Sequence, residues 1–159
     1  MKAVMLSIQP KWCELIVSGE KTLEVRKARP KLETPFKVYI YCTKGNLSYP
    51  VGDGMACHIN GGMVVIGEFI CDKIERFDVP YPAYQSKMRK DILEQSCCTY
   101  YALHRYAYHD VLYAWHISDL KIYDKPKPLS EFTGLRETKF GLEPVSLQRP
   151  PQSWYYVEE

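Results

Sequence analysis

Within the six residues Lys21, Thr22, Leu23, Glu24, Val25 and Arg26 the chain places an ammonium, a carboxylate and a guanidinium. Such a set can hold an anion or the polar edge of a base, or it can assist attack on a carbonyl. In the second case Lys21 would stabilise developing oxyanion charge, and Glu24, or the later Glu68, would take a proton from an attacking water. The same charges can equally form an ion-pair network that shapes the mouth of a fold without touching a ligand. Which of these holds depends on the elements that aim the side chains.

Residues 10–18 carry helix signals: Pro10 in the first turn, an apolar stripe of Trp12, Leu15 and Ile16, and Gly19 where a helix exit turns left-handed. From 22 to 27 polar and apolar residues alternate, which predicts a strand with Leu23 and Val25 on one face and Glu24 and Arg26 on the other. Lys21 sits at the turn between the two elements. Lys11, Lys21, Arg26 and Lys44 together would make a small cationic site around the helix, with Trp12 or Tyr41 offering a face to an unstacked base. Trp12 also shares its side of the helix with Leu15 and Ile16, the pattern of a core residue. Tyr100, Tyr101, Tyr106, Tyr108 and Tyr113, interleaved with His104 and Arg105, form either a second stacking platform or an amphipathic packing face.

The chain has 159 residues, 46% hydrophobic and 25% charged, which fits one globular domain with a substantial core. A net charge of +2 is too mild to announce a general polyanion binder. No apolar run approaches the roughly 18 residues that span a bilayer. Six cysteines, four of them in apolar runs and without a signal-peptide pattern ahead of them, read as reduced thiols in a cytoplasm. Cys57-His58, Cys97-Cys98, His104, His109 and His116 lack the spacing of a zinc site, and no phosphate or dinucleotide loop is present, so neither metal nor cofactor is expected.

Further strands are expected at 3–8, 36–42, 63–71 and 111–123, with Gly67 marking a bulge or a close backbone approach. Residues 51–62 read as a loop and 86–95 as a helix, with Thr99 capping another helix that runs to Tyr106. Residues 126–150 are rich in Pro, Gly and charge, and 153–157 read as a returning edge strand. This divides the chain into a principal domain over 1–125 and a C-terminal extension, 126–159, that packs on it. The element order lacks the regular alternation of a doubly wound fold, so an α+β small barrel with flanking helices fits better.

Leu6-Ser7-Ile8-Gln9-Pro10-Lys11, Glu14-Leu15-Ile16 and Ser18-Gly19-Glu20-Lys21-Thr22-Leu23-Glu24-Val25-Arg26 together resemble the opening signature of ASCH domains of the PUA-like superfamily. Residues 39–44 and 65–68 resemble that family's next strand motifs, and 111–123 do so more loosely. The resemblance implies a closed or nearly closed β-barrel with a cleft beside the first helix that receives RNA or a modified nucleoside. Some relatives are amidohydrolases of acetylated cytidine and another is similar to a ribonuclease, so a hydrolase in the same cleft is the alternative. In the amidohydrolases a Lys at the position of Lys21, a Thr at that of Glu24 and a later Glu form the proposed catalytic set. Here a carboxylate replaces the hydroxyl, so water rather than a side-chain oxygen would have to attack. A third class is a protein-interaction module presenting the tail from 125 to 159 to an unknown partner.

Overall fold

Pro10 opens α1 (Pro10–Val17), and Gly19 leaves it at φ +84°, the left-handed exit that glycine adopts without strain. The computed structural model describes residues 1–159. Around α1 lie β1 (Lys2–Ile8), β2 (Leu23–Arg26), β3 (Phe36–Cys42), β4 (Leu47–Gly52), β5 (Met55–Ile59) and β6 (Val64–Phe77). There follow α2 (Lys90–Ser96), α3 (Tyr100–Ala107), β7 (Leu112–Lys127), β8 (Thr133–Thr138), β9 (Gly141–Ser146) and β10 (Trp154–Glu158). No helix is long and apolar enough to cross a membrane.

The fold is α+β. Eight strands form one sheet in the order β2-β7-β6-β3-β1-β10-β8-β9, and β4 and β5 form a separate hairpin. The expected closed barrel is not formed, because β2 and β9 are free edges of this sheet. β2 is only four residues long and pairs with β7 alone. In place of a closing strand pair, Arg26 Nη2 donates to the Ser7 carbonyl at the end of β1, at 2.6 Å. The segment read as a loop contains the β4–β5 hairpin, which turns at Asp53 and Gly54, both with positive φ. β10 is not an edge strand: it lies between β1 and β8, with Val4 opposite Tyr156 and Val157 opposite Gly134.

Strand alternation sorts the core into three clusters. Val4, Leu6, Ile8, Ile16, Val38, Ile40, Phe69 and Trp115 fill the space under α1. Leu23 and Val25 point from β2 to Ile92 of α2 and Leu103 of α3, as the period-two pattern predicts. Ala3, Met5, Tyr39, Tyr41, Tyr123 and Val157 pack on the opposite face of the sheet. Thr99 caps α3 by accepting from the Ala102 amide at 3.1 Å, which starts the helix where expected.

The β3–β6 register shifts between Ile40 and Tyr41, so that Ile40 faces Gly67 and Tyr41 faces Val65. Ile66 is the extra residue of this bulge, and it turns inward, as does Phe69. Glu68 consequently lies opposite Tyr39 on the outer face. Gly67 also lies against β7, where an added Cβ would sit 2.4 Å from the Lys121 carbonyl oxygen. Gly67→Ala is therefore expected to lower stability by about 1–3 kcal/mol in urea unfolding.

α2 is tied to the sheet at its start. Arg89 holds Glu75 of β6 at 2.7 Å and Asp91 at 2.7 Å, and His116 Nε2 of β7 lies 2.7 Å from Glu75. The Arg89 hydrogen bond pulls the Glu75 carboxyl from 4.5 down to about 2. Because the folded value is the lower one, this stabilisation is complete above pH 4.5 and is lost as pH falls toward 2. Urea midpoints of the native chain should fall more steeply across that window than those of Glu75→Gln.

Candidate functional site

A cavity of about 470 Å³ opens between α1, β2, α3 and the segment that leads into β10. Its polar wall is the trio of Lys21, Glu24 and Arg26, and its apolar wall includes Trp12, Val25 and Leu103. Local backbone bonding explains how Lys21 reaches it. The Lys21 amide donates to the Leu15 carbonyl at 3.0 Å, folding the chain back over the last turn of α1, and the Thr22 amide donates to Gln95 at the end of α2, at 2.8 Å. Lys21 thus enters between the C-terminal ends of two helices, where carbonyl groups favour a cation.

The ammonium is only 2% exposed. Lys21 Nζ donates to the Ser96 carbonyl at 2.7 Å, stands 3.7 Å from Glu24 Oε2 and lies 4.8 Å from the centre of the Trp12 ring. Glu24 is 6% exposed, and its Oε1 lies 3.3 Å from Arg26 Nε. Arg26 directs its two terminal nitrogens to the Ser7 carbonyl and to Ser153 Oγ, the latter at 3.3 Å. Two buried atoms in this chain of charges have no hydrogen-bond partner in the protein: Glu24 Oε2, an acceptor, and Arg26 Nε, a donor. Buried polar atoms of this kind cost free energy unless something satisfies them.

Tyr106 of α3 stands at the rim, 39% exposed, with Lys27 Nζ 4.9 Å from its ring centre. Burial raises its phenol above the ordinary value, and the Arg26 guanidinium opposes that rise. Gln9, Thr43 and Gln152 add neutral hydrogen-bonding groups. Gln152 is brought there by a strap: Ser7 Oγ donates to the Pro151 carbonyl at 2.6 Å, and the Ser7 amide donates to the Ser153 carbonyl at 2.9 Å.

Of the residues singled out from sequence, Lys21, Glu24, Arg26 and Trp12 meet at this cavity. Glu68 does not reach it. The Ile66 bulge turns Glu68 to the outer face, where it accepts from Tyr123 Oη at 2.6 Å, pairs with Lys37 at 3.3 Å and lines a separate cavity of about 260 Å³. Lys11 is exposed on α1 with Nζ 4.8 Å from the Trp12 ring centre, so Trp12 carries lysine ammonium groups on its π-system as well as packing on the core. Lys44 is exposed in the turn after β3 and does not line the cavity, although its neighbour Thr43 does. Tyr41 is buried on the opposite face of the sheet. Gln9 and Gln152 went unrecognised in sequence. Gln9 had a usable signal in preceding the helix-opening Pro10, whereas Gln152 had none. No group of three or more His, Cys, Asp or Glu side chains is placed to share a metal ion.

Removing the ammonium would leave the Glu24 carboxylate buried beside a single cation. Lys21→Met should therefore destabilise the fold by about 3–5 kcal/mol, and adding Glu24→Gln to it should restore at least about 1 kcal/mol. A double-mutant cycle of urea unfolding measures both.

The sequence profile of the ASCH domain matches residues 6–102, which span β1 to the start of α3 and include all of Lys21, Glu24 and Arg26. Among solved structures, the fold is similar to that of an ASCH protein from Zymomonas mobilis, at 20% identity and TM-score 0.58, covering 99% of this chain and 88% of that one. It is likewise similar to a single-residue variant of that protein, at 18% identity and TM-score 0.53, covering 99% of this chain and 89% of the other. At these identities the likeness concerns the fold. No curated protein matches the chain significantly. The extent of the profile match, over most of the strands and helices that build the cavity, establishes that this chain belongs to the ASCH domain family.

Proposed function

We propose that the cavity receives one nucleobase, that of RNA or of a modified nucleoside, and that cytosine is the base it suits best. One observation carries this reading: Glu24 Oε2 and Arg26 Nε, on two residues that line a cavity of about 470 Å³, are a buried acceptor and a buried donor that stand in ion pairs at 3.7 and 3.3 Å but make no hydrogen bond. Cavities of roughly 300–1,000 Å³ with apolar walls and few convergent polar groups are typical of small-molecule sites. The Watson–Crick edge of cytosine carries an exocyclic N–H donor beside a ring-nitrogen acceptor, and carboxylates accept from that amino group. Uracil presents an oxygen there, which a carboxylate repels.

A second reading is favoured by the proximity of the Lys21 ammonium to the same oxygen, at 3.7 Å and without a hydrogen bond. An acylated cytosine amino group would place its carbonyl between the two. Glu24 would take a proton from water, the resulting hydroxide would add to the acyl carbon, and Lys21 would stabilise the oxyanion. Collapse would release the carboxylic acid and return the proton to the departing amine.

Calorimetric titration with cytidine and uridine tests the binding reading. Cytidine should bind at least about tenfold more tightly than uridine, and Glu24→Gln should weaken cytidine by 1–3 kcal/mol, roughly 5- to 150-fold. An unchanged cytidine affinity in Glu24→Gln would sink it. For the hydrolytic reading, product masses from N4-acetylcytidine are followed with the native chain, Lys21→Met and Lys21→Arg. Acetyl loss in the native chain that disappears with Lys21→Met supports turnover, and an unaltered substrate eliminates it.

A further inference from the structure

We infer that the occupant of the cavity is a nucleotide within single-stranded RNA, and that loop 27–32 is the track along which the phosphodiester backbone leaves the site. This rests on the reading of the cavity as a base site and extends it to the form in which the base arrives.

Lys27, Arg29 and Lys31 are exposed, alternate along the chain, and take no part in any ion pair of the protein. The loop that carries them begins directly after Arg26, whose guanidinium is in the cavity wall. It meets the cavity rim at a defined contact, Lys27 Nζ against the Tyr106 ring at 4.9 Å. The first cation of the loop therefore stands at the rim of the base site, and the other two follow it along the chain.

The backbone of the loop is held in place. Trp115 Nε1 donates to the Ala28 carbonyl at 3.3 Å, the Lys31 amide donates to Tyr156 Oη at 2.9 Å, and Pro30 between them is buried. Three charges on a fixed backbone lose less freedom on engaging phosphates than charges on a mobile one. A link between β2 and β3 makes structural use of one of these cations, Arg29, whose Nη2 donates to the Leu32 carbonyl at 3.3 Å, and does not require the other two. A free nucleoside has no phosphate and would gain nothing from them. With a net charge of +2 over the whole chain, this local concentration is not a by-product of a generally basic surface. Gln9, Thr43 and Gln152 line the cavity with neutral donors and acceptors suited to a ribose 2′-hydroxyl, which selects RNA over DNA.

The test compares cytidine, an oligocytidylate RNA of about nine nucleotides and the DNA of the same sequence, binding to the full chain from about 50 to 200 mM salt. The RNA should bind at least about tenfold more tightly than cytidine at the low end. Its log K should fall with log salt at a slope near −2, from three phosphate contacts at about −0.7 each. The double variant Arg29→Ala and Lys31→Ala should bring that slope to about −0.7 while leaving cytidine affinity unchanged, which also reports an intact fold. Exchanging Lys27 and Lys31 for Arg should preserve the slope. If cytidine binds but the RNA binds no tighter, or the full slope survives in the double variant, the track is overturned and the base site stands. If neither cytidine nor RNA binds, both fall. DNA binding equal to RNA overturns the assignment to RNA.

Discussion

Three charges held almost out of water have to be compensated, and the groups that compensate them come from parts of the chain far apart in sequence. Lys21 needs the carbonyl at the end of α2, Glu24 needs both cations, and Arg26 needs the end of β1 and the strap at Ser153. Burial of one charge without the others would cost several kcal/mol. The trio therefore works as a joint, in which the position of each surrounding element is specified by the partner it must present. An apolar group of the same shape would fill the space but would not distinguish one arrangement of these elements from another.

β2 shows how the joint is supplied. Its four residues send Leu23 and Val25 to the helical layer and Glu24 and Arg26 to the cavity, so one short edge strand both anchors α2 and α3 and carries the polar wall. The open edge of β2 follows from the same assignment. A further strand paired there would cover the side from which Arg26 reaches Ser7, and the sheet stays unclosed where the cavity needs room. The start of α2 is joined to β6 from outside, through the ion pair of Arg89 with Glu75.

Local signals were readable wherever one residue type has one conformational use. Gly19 ends α1, Thr99 starts α3, and the alternation from Thr22 to Arg26 assigns both faces of β2. Asp53-Gly54 is a strong hairpin signal as well, but it lies in a glycine-rich stretch that also reads as a loop. The face of Glu68 was not readable. A bulge near Gly67 is evident from the glycine, yet whether Glu68 points in or out depends on the extra residue being Ile66, and a shift of one position reverses the answer. β8 and β9 escaped because neither Thr133–Thr138 nor Gly141–Ser146 carries a continuous apolar face, and β9 is largely exposed as well. Gln152 owes its place to bonds from Ser7 that span most of the chain, and no local pattern encodes contacts of that range.

β1 is flanked by β3 on one side and by β10 on the other, so one of its neighbours lies close to it in sequence and the other far along the chain. During translation the nascent chain reaches β3 early and can form the parallel pair, but one side of a buried apolar strand remains unpaired until residues 154–158 have left the ribosome. That side is a template for other extended chains, and pairing across such a distance in sequence is slow. The exposure of that side of β1 therefore lasts for as long as β10 is unpaired, whatever the state of the cavity.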